Sequence, residues 1–200
     1  FYFSCPCDLN TRDSGIAVDL QVANPVARFA NDNNGVIIEL PGINSTGAAT
    51  VSGALVFGID TQPNNGLGTA KVIQTAPATG YFTTVYNKRP ITFSLFDSGS
   101  SAYFFDSAIT VCTSQTQPQS IALGFYCPQP PLSLSAVIQG TNSGGNAVVP
   151  FSVGNAFSLF NANPTYTAFN NIGLPQPNAF IWGLPAFFGR HVYVAIEGQT

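Results

Sequence analysis

Three observations predict an all-β domain with one or two short helices. Seventeen Phe, seven Tyr and a 45% hydrophobic content supply a core, so the low 8% of charged residues is not a sign of disorder. Nineteen Gly and fifteen Pro cut the chain into short segments. Those segments are rich in Val, Ile, Phe and Thr and are bounded by Asn, Ser, Gly and Pro, the composition of strands between turns. At 200 residues one such domain buries roughly 70% of its unfolded surface.

Residues 1–24 form an N-terminal segment and residues 25–200 the folded unit. "NPVARFANDNNG" (24–35) is a helical candidate, with Pro25 in a first turn and the Asn/Asp/Gly run as its stop. "GVIIEL" and "TVSGALVFGID" read as strands joined by the turn-rich "PGINSTGAA". After the turn "NNGLG" come three further strand candidates, "AKVIQTA", "GYFTTVYN" and "RPITFSLF". "PLSLSAVIQG" alternates at Leu132, Leu134, Ala136 and Ile138, the pattern of a strand with one wet face. "AVVPFSV" is another strand, and "GNAFSLFNANP" a short helix with Asn155 as its cap. "RHVYVAIEG" closes the series, which suits a sandwich or barrel-like domain.

A net charge of −3 with six scattered basic residues argues against nucleic acid as a partner. No run of eighteen apolar residues exists, so no transmembrane segment is expected. The chain starts at Phe1 in mid-pattern and holds no Met, which points to a processed chain or a fragment, with any targeting segment already gone. Cys112 and Cys127 bracket a polar loop rich in Ser, Gln and Pro, and a disulfide between them is expected. Closing that loop is worth about 3 kcal/mol in the chain-entropy model. Cys5 and Cys7 in "CPC" are too close to bridge each other easily. Zinc is a poor alternative, because paired C-x2-C knuckles are missing. A disulfide implies an oxidising location: secreted, periplasmic or on the cell-envelope exterior.

Few residues have the chemistry of a reaction centre. The single His, His191, begins an alternating strand with no serine elbow to serve, and reads as a strand-end residue. With Glu39 and Glu197 as the only Glu, no metal site is expected. Asp8, Asp13, Asp32 and Asp60 read as turn or cap residues, and Asp106 follows apolar residues without a glycine turn. Asp97 is different. An apolar strand delivers it into Ser98-Gly99-Ser100, where a glycine N–H and a serine hydroxyl two and three residues on are placed to fix a carboxylate's plane.

"FSLFDSGSS" resembles the hydrophobic-hydrophobic-D-[ST]-G-[ST] catalytic turn of pepsin-like aspartic peptidases. "VSGALVFGIDTQPNNG", "GYFTTVYN" and "FIWGLPAFFGRHVYVAIEG" are similar, in order and spacing, to segments of that family's C-terminal lobe. The match covers roughly residues 25 to 198, and the chain also resembles the C-terminal half of an uncharacterised family of bacterial exported proteins. The resemblance implies a single pepsin-like lobe and makes Asp97 one carboxylate of a two-Asp site for peptide-bond hydrolysis. Ser98 would lock two turns together, while Gly99 and Ser100 orient the carboxylate. Ile181, Trp182 and Gly183 would form a supporting loop beside the turn, with Phe188 to Glu197 as the last strands. No metal or organic cofactor is implied. Only one such turn is present, since "TRDSGI" at Asp13 has polar neighbours, so the second Asp would come from a missing N-terminal lobe or a second copy. The alternative expectation is a non-catalytic exported β-domain that binds peptide, glycan or protein, or serves in the envelope.

Overall fold

A computed structural model describes residues 24–77, 79–113 and 121–196. Among these residues ten strands form two sheets. The smaller has the order β10-β1-β2, from Gly35–Leu40 (β1), Ala54–Phe57 (β2) and Arg190–Ala195 (β10). The larger has the order β7-β6-β3-β4-β9-β5-β8 and curves as a half-barrel. Its members are Phe82–Tyr86 (β3), Arg89–Asp97 (β4), Tyr103–Phe105 (β5), Leu132–Gln139 (β6), Asn146–Val153 (β7), Gly173–Leu174 (β8) and Phe180–Gly183 (β9). One helix, Ala156–Ala162 (α1), is capped as expected by the Asn155 side chain, which accepts from Ser158 N–H at 2.9 Å. The all-β expectation holds.

Two local expectations need correction. The helical candidate after Asn24 is only a 3-10 turn, Pro25–Arg28, because its polar "NDNNG" tail has no apolar face to bury. "AKVIQTA" is not a strand. Its backbone instead binds the Gly140–Gly144 turn, with Gln74 N–H on Gly144 O at 2.8 Å and Thr141 N–H on Gln74 O at 2.8 Å. Val72 is left 67% exposed, so burial gives this segment no reason to join a ladder.

The core lies on the inner face of the larger sheet. Phe105, Phe180 and Trp182 are fully buried there. Phe180 stacks on Trp182 at 4.5 Å between ring centroids and on Phe105 at 5.0 Å, while Phe151 meets Trp182 edge-on at 5.4 Å. The Trp182 indole N–H is buried with them and donates to Thr84 Oγ1 at 3.0 Å, so the polar edge of the ring is satisfied. A second cluster, with Phe169, Ile172 and Cys112, packs under α1. The disulfide Cys112–Cys127 closes there, with Cα atoms 5.4 Å apart and a sequence separation of fifteen. Replacing both cysteines by serine should lower unfolding free energy by about 3 kcal/mol, read from urea midpoints; an unchanged midpoint would remove the bridge from the stability account.

Two core tyrosines make the fold sensitive to alkali. Burial pushes the Tyr103 phenol up to about 12, only partly offset by the nearby Arg190 guanidinium. Burial also pushes Tyr126 up to about 12, and its hydroxyl donates to Phe105 O at 2.5 Å. The folded chain keeps both protons where the unfolded chain, titrating near 10, has lost them. The contribution of these two tyrosines to stability should therefore be level below pH about 10 and fall from there towards about 12, by roughly 2 kcal/mol per tyrosine. Urea midpoints that coincide at pH about 8 and about 11 would contradict this.

Candidate functional site

The sequence of β4 explains where Asp97 goes. Strand alternation turns Phe96 inward, onto Trp182 at 6.1 Å and Phe187 at 5.9 Å between centroids. Asp97, the next residue and the last of β4, is half-buried and starts the turn. Ser98 and Gly99 are exposed at the tip and Ser100 is half-buried. The carboxylate is held on both oxygens: Gly99 N–H donates to Oδ1 at 2.9 Å, and Ser100 Oγ donates to Oδ2 at 2.6 Å. Ser100 N–H closes the turn onto the Asp97 carbonyl at 3.2 Å. Hydrogen bonds to a charged acceptor are short and orienting, and here they fix the plane of the carboxylate.

Ile181, Trp182 and Gly183 belong to a strand, β9, and not to a loop. β9 runs parallel to β4, with Leu95 opposite Ile181, Phe96 opposite Trp182 and Asp97 opposite Gly183. Trp182 anchors β9 in the core. Gly183 is needed for space, not for an unusual backbone angle: a Cβ there would overlap the Ala102 carbonyl oxygen and lie 2.6 Å from that of Ser100. The chain just past it, Leu184 N–H, donates to Ser100 O at 2.6 Å. The strand end thus clamps the turn that orients Asp97. Leu184 and Thr84 belong to this support, yet nothing in their local sequence signals it. Their partners lie 84 and 98 residues away in the chain.

The other candidate groups stay apart. His191 Nδ1 and Glu39 Oε1 lie 3.3 Å apart across β1 and β10, an exposed imidazole beside a half-buried carboxylate. Asp106 pairs with Arg89 at 3.3 Å, also exposed. Asp32 accepts from Thr61 Oγ1, and both Asp32 and Asp60 have positive φ, as turn residues do. Among the described residues no three His, Cys, Asp or Glu gather to hold a metal ion. None of the described helices is long and apolar enough to cross a membrane. Asp8, Asp13, Glu197, Cys5 and Cys7 lie outside the described residues.

A family model described as a protein of unknown function, DUF3443, matches residues 1–200. The chain belongs to that family. No curated protein and no solved structure matches this DUF3443 chain significantly. Family membership fits the uncharacterised family expected from the sequence, and it assigns no activity. What the DUF3443 chain presents is therefore chemistry alone: one carboxylate, oriented by two donors, on a turn clamped by a parallel strand. Among the described residues, clefts of about 430 and 440 Å3 lie elsewhere, and Asp97 lines neither of these.

Proposed function

We propose that this chain is one lobe of a pepsin-like aspartic peptidase or peptidase homologue, exported from the cell, with Asp97 as one of two carboxylates that hydrolyse a peptide bond. The observation that carries the reading is the Asp97 carboxylate held by Gly99 N–H and Ser100 Oγ at 2.9 and 2.6 Å, with Gly183 paired beside it. A general acid–base pair needs this kind of fixed orientation, because proton transfer tolerates little misplacement.

The chemistry also explains why one lobe is insufficient. Two adjacent carboxylates share a single proton, since both cannot ionise cheaply side by side. The ionised one takes a proton from water as the water oxygen bonds to the peptide carbonyl carbon. The protonated one gives its proton to the carbonyl oxygen. Collapse of the tetrahedral intermediate then breaks the C–N bond as a proton passes to the leaving nitrogen. The second carboxylate comes from an N-terminal lobe or from a second copy of this chain, with Ser98 at the exposed tip where the two turns would meet. An isolated monomer of residues 1–200 should cleave no peptide at any pH. Acid proteolysis by a verified monomer, lost in Asp97→Asn, would overturn the need for a partner lobe.

A second reading rests on a specific observation. Asp97 lines neither of the clefts found, which suits a domain of the same fold that binds peptide, glycan or protein without cleaving it. The two readings separate on one measurement, peptide cleavage by the protein with its partner lobe in place. Cleavage supports the peptidase; its absence in a folded, correctly assembled protein supports the binding domain.

A further inference from the structure

A second place on the chain has the features of a ligand site, and it shares no residue with the Asp97 turn. A cleft of about 440 Å3 opens where the Ser45–Thr46 turn, the segment from Pro128 to Ser133, the end of β7 and the start of α1 meet. That volume falls within the range of small-molecule sites. Five hydroxyl side chains line it, among them Ser45, Ser133 and Ser158, together with three amides, Gln129, Asn155 and Asn171. Among the described residues no ionisable side chain lines it.

Asn171 is the unusual member. It is only 5% exposed, and its Nδ2 donates to Ser45 O at 2.8 Å. Its Oδ1 is buried and has no hydrogen-bond partner. An unpaired buried acceptor costs about 1–3 kcal/mol, so native structures keep few of them. The oxygen is closed off from water-sized groups, and the Ser45 carbonyl that holds the amide in place sits on an exposed turn. If that turn shifts, Asn171 is released to bond with whatever occupies the cleft.

We infer that this cleft binds a neutral saccharide, with a sugar hydroxyl satisfying Asn171 Oδ1 as the Ser45–Thr46 turn moves. The described lining carries no charge, which disfavours an ionic ligand, since no side chain of that lining offsets its desolvation. The five hydroxyls and the Gln129 carboxamide can each donate and accept, matching a polyol, in which every hydroxyl does both, while the Asn155 amide is taken up by Ser158 N–H and the Cys127 and Pro128 carbonyls. Pro131, Leu132 and Leu159 supply apolar surface for the C–H face of a sugar ring. A peptide backbone, with donors and acceptors alternating at fixed spacing, uses few of these two-way groups. Among the described residues the lining holds no pair of carboxylates of the kind glycoside hydrolysis requires, which favours binding over cleavage.

The test is a chemical-shift titration of the 15N-labelled chain with maltotriose, cellotriose, N,N′,N″-triacetylchitotriose and, as the charged arm, a trimer of galacturonic acid. At least one neutral trisaccharide should give saturable shifts at Ser45 to Gly47, Ser152 to Ser158 and the Asn171 side chain. The acidic trimer should give none. Ser133→Phe, which fills the mouth of the cleft from an exposed position, should abolish those shifts while leaving the remaining spectrum folded. The inference fails if no neutral trisaccharide saturates, if the acidic trimer binds equally well, or if binding persists unchanged in Ser133→Phe. Peptide cleavage plays no part in this readout, so its outcome is independent of the role of Asp97.

Discussion

Asp97→Asn should leave the fold intact and abolish peptide cleavage by the protein assembled with its partner lobe. An asparagine keeps an oxygen for the Gly99 N–H, and its amide can donate to Ser100 Oγ, a hydroxyl able to accept as well as donate. The cost in stability should therefore stay within about 1 kcal/mol. The cost in activity should be about 10³-fold or more, because an amide can neither take the proton from water nor pass one to the carbonyl oxygen. Urea denaturation and a peptide-cleavage assay on the same preparation separate the two effects. If the variant loses the fold while its surviving folded fraction cleaves peptide as before, Asp97 is a structural turn residue and the peptidase reading fails.

Gly183→Ala should have the opposite profile, a large structural effect at a position with no reacting atom. The added methyl would overlap the Ala102 carbonyl oxygen and press on that of Ser100. These are backbone atoms, so no side chain can rotate away to make room. Gly183 sits at the end of β9, with Trp182 buried in the core just before it and Leu184 N–H bonded to Ser100 O just after. The strain must therefore shift the Ser100–Ala102 segment. A destabilisation of about 3 kcal/mol is expected, at the upper end for overpacking a tight site. In the assembled protein, any displacement of Ser100 also moves its hydroxyl off Asp97, and a misplacement near 1 Å costs about 10²-fold in rate. Urea midpoints equal to those of the unchanged chain would show that the turn is not clamped as described.

The edges of most strands were legible because local composition decides them. β1 coincides with "GVIIEL", β3, β6 and β10 fall within the expected segments, and β4 and β7 each exceed theirs by one residue. Asn155 was legible as a cap because capping is a contact between near neighbours. The Asp97 turn was legible for the same reason, since both of its donors lie within three residues. By contrast, the three-residue β5 and two-residue β8 are too short to carry a period, and they exist through their partners in the larger sheet. "AKVIQTA" shows the reverse failure. It has the letters of a strand, but its backbone groups found partners in a distant turn.

The sequence by itself determined that this chain would be built of strands, where its turns would fall, and that Asp97 would leave a strand into a Ser-Gly-Ser turn. Those features depend on alternation and on bonds that span a few residues, and both are written locally. Only the tertiary structure decided that β9 would insert between β4 and β5 and run parallel to β4, bringing Gly183 level with Asp97. That placement depends on the burial of Trp182 and Phe180 against rings contributed by β3, β4, β5 and β7. It depends equally on the space that a missing side chain at Gly183 leaves for the backbone of the turn. Both are properties of residues from about thirty to about ninety positions apart in the chain, and no local pattern can encode their meeting.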